Sequence, residues 1–245
     1  MIKVSDLYRN FEDNSVLQGV NLNIYEGETL VIIGGSGSGK SVLLKHLIGL
    51  LKPEKGEVEV EGIKMSSVKQ KDLFRIRRKF GMLFQGAALF DSLTVWENVG
   101  LGLIEHENMK KKEILPIVKE KLAMVGMSGI EELKPAELSG GMKKRVGLAR
   151  AIAMNPEIIL YDEPTTGLDP IMSDVINKLI RKLQKTLNVT SIVVTHDMKS
   201  AYHVGDRMAM LYEGKIIFDG SIENIKTSEN PFIRDFIEGK SEEEI

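Results

Sequence analysis

Between an apolar run, Leu30-Val31-Ile32-Ile33, and a helix-like stretch over 41–51 stands Gly34-Gly35-Ser36-Gly37-Ser38-Gly39-Lys40-Ser41. No other feature limits so tightly what the chain can fold into. The spacing G-x-x-x-x-G-K-[ST] functions only where a buried strand ends and a helix begins. Its glycines let the backbone turn N–H groups inward, and with the helix N-terminus these form a positive nest for phosphate. Lys40 is then placed to neutralise β- and γ-phosphates, and the Ser41 hydroxyl to ligate Mg²⁺. The competing reading is a Gly/Ser-rich surface turn. Chance matches arise in about 1% of chains this long from ordinary residue frequencies, and the flanking strand and helix favour a site for a nucleoside triphosphate.

Composition removes other classes. The 245 residues carry 33 basic and 35 acidic side chains, a formal net charge of −2, which argues against a surface built for nucleic acid. No apolar run exceeds five residues (Met208-Ala209-Met210-Leu211-Tyr212), far below the roughly 20 needed to cross a bilayer. With no cysteine, disulfides, thiol nucleophiles and thiolate metal sites are excluded. The opening residues lack the apolar core and cleavage site of a signal peptide, and the expectation is a cytosolic protein.

Hydrophobic periodicity gives the order of elements. Residues 2–7, 20–24 and 57–61 alternate apolar with polar, as one-sided antiparallel strands do. Segments 30–33, 158–161 and 192–194 are continuously apolar, the pattern of strands buried on both faces of a parallel sheet. Helical stretches at 41–51, 142–154 and 171–187 alternate with them, which predicts an α/β core with a small antiparallel sheet attached. The span 86–155 is mostly helical, clearest at 110–125, and reads as an inserted helical subdomain. Lys110-Lys111-Lys112-Glu113 within it reads as a solvated face. Core and antiparallel subdomain thus occupy 1–85 and 156–238, and 239–245 is a short acidic tail expected to fray.

Three further elements point at the same nucleotide. Ile158-Ile159-Leu160-Tyr161 runs into Asp162 and Glu163; at the carboxyl edge of a parallel sheet, Asp162 can hold Mg²⁺ and Glu163 can accept a hydrogen bond from an attacking water. The strand 191–194 runs into Thr195-His196-Asp197 and brings His196 to that edge, where it can contact the γ-phosphate and orient Glu163. His46, His106 and His203 show no metal-ligand spacing. Finally, Leu138-Ser139-Gly140-Gly141-Met142 opens a long helix, with Ser139 as N-cap and two glycines exposing N–H groups. An ordinary capped helix is the plainer reading. A second anion-receiving helix terminus is hard to use on the same γ-phosphate within one chain. A head-to-tail homodimer uses both, each Ser139, Gly140 and Gly141 capping ATP on the other copy.

The order of these motifs resembles that of the ABC ATPases: phosphate loop, signature at 138–142, strand with Asp162 and Glu163, Gly167-Leu168-Asp169, then His196. The resemblance covers nearly the whole chain. It implies a P-loop NTPase core, ATP bound over 34–42 (Gly34 to Ser41 and Val42), and Gln85 as the glutamine that senses Mg²⁺ and the γ-phosphate. It also implies Phe11 stacked on adenine, against which stands Phe11 as plain sheet core. Gly35 stands where proline is more usual, at little expected cost.

Within that family the chain resembles the Mla-type, MCE-linked lipid-transport ATPases. The residues are Phe84-Gln85-Gly86-Ala87-Ala88-Leu89-Phe90-Asp91, Leu138-Ser139-Gly140-Gly141-Met142-Lys143-Lys144-Arg145 and Tyr161-Asp162-Glu163-Pro164-Thr165-Thr166-Gly167-Leu168-Asp169-Pro170-Ile171. Met142 replaces the glutamine common in ABC signatures. The branch implies a peripheral subunit at the cytoplasmic face of the inner membrane, moving phospholipid between membranes. Implied partners are a transmembrane permease, an MCE-domain lipid-binding protein and a STAS-domain regulator. Some members carry a C-terminal extension that grips the neighbouring subunit; this sequence ends soon after Phe236-Ile237-Glu238-Gly239, and that contact is not expected here. Competing readings are the ATPase of a nutrient importer for amino acids or metals, a soluble ABC factor in translation or repair, and a P-loop kinase. The kinase would have no use for Ser139 or His196.

Overall fold

The computed structural model describes residues 2–12, 14–107 and 109–240. Part of the expected tail, 241–245, lies outside them. The chain forms two compact units, one of Met1–Arg77 with Ile192–Ile245 and one of Arg78–Ser191.

In the first unit, β1 (Ile2–Phe11), β2 (Asn14–Ile24), β4 (Lys55–Val60) and β5 (Ile63–Lys64) form an antiparallel sheet in the order β2-β1-β4-β5. Alternation along β1 buries Ile2, Val4 and Leu7 and leaves Lys3 exposed. β1 runs beyond the expected 2–7 because a bulge resets its register between Val4 and Leu7. At the bulge Asp6 takes φ +46°, and its N–H donates to Asn21 Oδ1 at 3.1 Å.

A second set of strands in this unit follows the order β10-β9-β3-β8, with β3 (Thr29–Ile33), β8 (Thr190–Thr195), β9 (Arg207–Tyr212) and β10 (Lys215–Ser221). β3 and β9 are parallel, pairing Leu30 with Arg207 and Ile33 with Met210. Every residue of β3 and of β8 is buried, as continuous apolar runs require. β9 and β10 form a hairpin whose turn places Glu213 and Gly214 at positive φ. The sheets are joined where the Gln18 N–H donates to Gly214 O at 2.8 Å. Arg207, at the start of β9, donates to both Glu28 carboxylate oxygens, at 3.0 and 2.8 Å, and also to Asp219.

Helix α1 (Lys40–Leu47) ends short of the predicted 51. Gly49 adopts φ +65° and the Leu50 N–H returns to Lys45 O at 2.8 Å, closing the helix before Pro53. Helices α2 (Gln70–Arg77), α7 (Met198–Val204), α8 (Ile222–Lys226) and α9 (Pro231–Glu238) complete the unit.

The second unit pairs β6 (Phe80–Leu83) in parallel with β7 (Ile158–Asp162), matching Phe80 with Ile158 and Leu83 with Tyr161. β7 is wholly buried. Thr190, where β8 begins, donates its N–H to Glu157 O at 3.0 Å. Helices α3 (Val95–Glu107), α4 (Lys111–Met124), α5 (Gly140–Ile152) and α6 (Pro170–Leu187) belong here, so the helical span 86–155 lies inside this unit.

Asn98, fully buried on α3, holds the segment 90–94: its Oδ1 accepts from the Phe90 N–H at 2.8 Å, and its Nδ2 donates to the carbonyls of Phe90, Leu93 and Thr94. Asn98→Ala leaves the Phe90 N–H without that acceptor. It is expected to cost about 2–4 kcal/mol, read as a lower urea midpoint with unchanged slope.

Candidate functional site

In the first unit the site grows from the end of β3. Gly34 turns the chain with φ +157°, and a Cβ there would stand 2.3 Å from Leu211 O on the neighbouring strand β9. Only glycine fits so close a backbone approach. Gly37 and Gly39 take φ +78° and +101°, the second serving as the residue before α1. Gly39 makes no side-chain cap bond, and the N-terminus of α1, where the helix dipole favours an anion, opens directly from the loop.

Lys40, buried, folds back so that its Nζ donates to Gly34 O at 2.7 Å and Gly35 O at 2.8 Å. Ser38 Oγ is buried without a partner. A cation resting on its own loop and a buried orphan hydroxyl are groups that a bound phosphate would satisfy, so the loop fits one. Ser36 is exposed, and Ser41 and Val42 lie half-buried in the first turn of α1. β8 ends at Thr195, whose Oγ1 accepts the Asp197 N–H at 3.0 Å; His196 stands exposed in that turn, before α7.

Phe11 ends β1 with 41% of its surface exposed, so it is not sheet core. The Arg9 guanidinium lies 4.5 Å from the centre of its ring. His46 is buried on α1 with its Nδ1 2.8 Å from Val42 O, and burial pushes its pKa down.

In the second unit β7 delivers Asp162 and Glu163, both nearly buried, at its carboxyl end. Glu163 takes φ +47°, a left-handed conformation uncommon for a residue with a side chain. Its Oε2 accepts from Thr166 Oγ1 at 3.2 Å. Gln85 lies exposed in the turn after β6.

Ser139 is the N-cap of α5, its Oγ accepting from the Met142 N–H at 3.3 Å, as its place before the two glycines implies. Gly140 is exposed. Gly141 is buried against α6, where a Cβ would meet Met172 Cε at 2.5 Å. Asp169 caps α6 in turn, accepting from the Ile171 and Met172 N–H groups.

Sequence reasoning passed over Lys144 and Arg150. Lys144 is buried on α5, donating to Gln85 O and, at 3.2 Å, to Glu163 O. Burial lowers its pKa, against the opposing pull of the Glu163 and Asp162 carboxylates. Arg150 donates to the carbonyls of Ala88 and Ala87, both at 2.6 Å, and those two residues stand at positive φ. The missed signal is a lysine on the buried stripe of α5, between Gly141 and Leu148 at helical spacing.

The family model described as "ABC transporter" matches residues 17–166. The chain belongs to this family. It is 43% identical over 239 residues to "Probable ribonucleotide transport ATP-binding protein mkl" of Mycobacterium tuberculosis, spanning 98% of this chain and 67% of that protein. It is 38% identical over 242 residues to "Intermembrane phospholipid transport system ATP-binding protein MlaF" of Haemophilus influenzae, spanning 99% of this chain and 92% of that protein. Among solved structures it is similar to a dimeric, post-hydrolysis ATP-binding cassette bound to ADP and Pi. That likeness has a TM-score of 0.82 at 38% identity, covering 91% of this chain and 99% of the other. The chain is the ATP-binding, ATP-hydrolysing subunit of a transporter, with the α/β P-loop core that its motifs imply. No helix among the described residues is long and apolar enough to cross a membrane.

Gly34→Ala drives a methyl into Leu211 O and is expected to destabilise the protein by about 2–4 kcal/mol, visible as a lower Tm. Ser139→Ala removes the cap of α5, at about 1 kcal/mol, and the same melt reads it.

Proposed function

We propose that this chain powers phospholipid transport between membranes as a peripheral subunit on the cytoplasmic face of a permease. The observation that carries the reading is the likeness to the Haemophilus phospholipid-transport protein across 99% of this chain and 92% of that one. The segments 84–91, 138–145 and 161–171, including Met142 in the signature, support it. Its partners are then a second copy of itself, a transmembrane permease, an MCE-domain lipid-binding protein and a STAS-domain regulator.

In this reading ATP lies with its phosphates on Gly34, Gly35, Ser36, Gly37, Ser38, Gly39, Lys40, Ser41 and Val42, and its adenine on Phe11. The partner copy's signature residues Ser139, Gly140 and Gly141 close over the γ-phosphate. Ser41, Gln85 and Asp162 would hold Mg²⁺, which when bound offsets phosphate charge. Hydroxyl, amide and carboxylate oxygens suit that ion, which keeps several waters and takes few protein ligands.

Glu163 accepts a proton from the attacking water as its oxygen bonds to the γ-phosphorus and the bond to ADP breaks. His196 orients Glu163 and contacts the γ-phosphate. Division over two copies is supported by the two helix N-termini, that of α1 after the glycine loop and that of α5 after Ser139, where the helix dipole favours an anion. A solved relative is likewise a dimer bound to ADP and Pi. Because bridging ATP binds the closed dimer better than the open one, it shifts the equilibrium toward closure, and hydrolysis returns it.

Glu163→Gln is expected to bind ATP and dimerise while hydrolysis falls by about 10²- to 10⁴-fold, measured by phosphate release and size-exclusion chromatography. The mycobacterial relative's name supports a second reading, ribonucleotide transport. Affinity capture of Glu163→Gln from native membranes with ATP decides between them. The expected catch is a polytopic permease with an MCE-domain protein; a permease with a periplasmic solute-binding protein overturns the lipid reading.

A further inference from the structure

Three segments of the second unit converge on the ammonium of Lys144. It sits on α5, one turn inside the helix that Ser139 caps, and only 5% of its surface is exposed. Its Nζ donates to the carbonyl of Gln85, in the turn after β6, and to the carbonyl of Glu163 at 3.2 Å, just past β7. Burying a cation is unfavourable unless its donors are met by well-placed acceptors, so an apolar side chain would serve packing alone better.

The two acceptors belong to the two residues of this unit whose side chains face the most exacting tasks. Glu163 stands in the left-handed region, a conformation that persists only where its surroundings hold it. Its carbonyl accepts from the Thr166 N–H at 3.3 Å as well as from Lys144, and its carboxylate accepts from Thr166 Oγ1. The Gln85 turn is held from the same helix twice over. Arg150 takes the carbonyls of Ala87 and Ala88, and Gly147 lets α5 approach so closely that a Cβ there would meet Leu83 at 2.9 Å. Lys144 alone among these α5 contacts also reaches Glu163.

We infer that Lys144 is a positioning residue for hydrolysis: by holding the backbones of Gln85 and Glu163 on helix α5, it ties the Mg²⁺-sensing turn and the catalytic base to the helix that carries the signature. The inference rests on the reading of Glu163 as the base. It acts on the approach to the transition state and not on nucleotide affinity, because the two hydrogen bonds of Lys144 go to the backbone carbonyls of Gln85 and Glu163, outside the residues proposed to hold ATP.

Steady-state ATPase of the full chain with MgATP, together with binding of a fluorescent ATP analogue, tests this. Lys144→Met keeps most of the aliphatic stem and removes the donors. The expected result is a fall in kcat of about 10-fold or more with KM and analogue affinity within about threefold of the parent. Lys144→Arg, which keeps a cation, is expected to return kcat to within about threefold. A kcat for Lys144→Met within about twofold of the parent overturns the inference. So does equal loss in the Arg variant, or a loss matched by weaker nucleotide binding, since both describe packing alone. Should Lys144→Met not fold, Lys144→Gln is read for the same split. Glu163→Gln is assayed beside them. If it hydrolyses at the parent rate, the reading of Glu163 fails and this inference with it. An inactive Glu163→Gln beside an active Lys144→Met removes the positioning role and leaves the base in place.

Discussion

A parallel strand buried on both faces has little place for a charged side chain until it ends. Within each unit this constraint puts the chemistry where it is. β3, paired in parallel with β9, releases the chain into the glycine loop and Lys40, and β8 releases it into His196. β6 and β7, also parallel, release it into Gln85 and into Asp162 and Glu163. The strands run the same way within each pair, so the polar turns gather at their carboxyl ends, where ligands of open α/β sheets bind.

What shapes those turns is the close approach of backbone to backbone and of cation to carbonyl. Gly34 is held to a hydrogen by Leu211 O of the next strand, which is why the phosphate loop leaves β3 as it does. Gly141 admits Met172 of α6 close to the signature helix. Where glycine does not shape the turn, a buried cation does. Lys40 binds the carbonyls of Gly34 and Gly35, Lys144 those of Gln85 and Glu163, and Arg150 those of Ala87 and Ala88. Each such contact satisfies carbonyls that a regular strand or helix would otherwise pair, so turns of irregular backbone keep one conformation.

Much of this was legible beforehand. Continuous apolar runs at 30–33, 158–161 and 192–194 announced fully buried strands because both faces had to be covered. Alternation marked β1, β2 and β4, although the bulge at Asp6 carried β1 further than periodicity alone followed it. Helix α1 ends early through a glycine cap, a local event hidden inside an apolar run. Phe11 was ambiguous because a strand-end aromatic can face inward or outward; its exposure follows from the register of β1 against β2. Lys144 escaped notice because a lysine in a run of Lys143, Lys144 and Arg145 looks solvated.

The amino-acid sequence by itself determined the phosphate loop, the acidic end of β7, the capped start of α5 and membership in the ABC family. Those depend on residue types at fixed short spacings, and their local geometry follows from backbone freedom and capping. Only the tertiary structure decided that Lys144 lies buried against two carbonyls 59 and 19 residues away, that Asn98 staples the segment after the Gln85 turn, and that Leu211 O stands where a side chain on Gly34 would go. Such contacts join residues far apart in the chain, and packing selects them from many partners that the sequence equally permits.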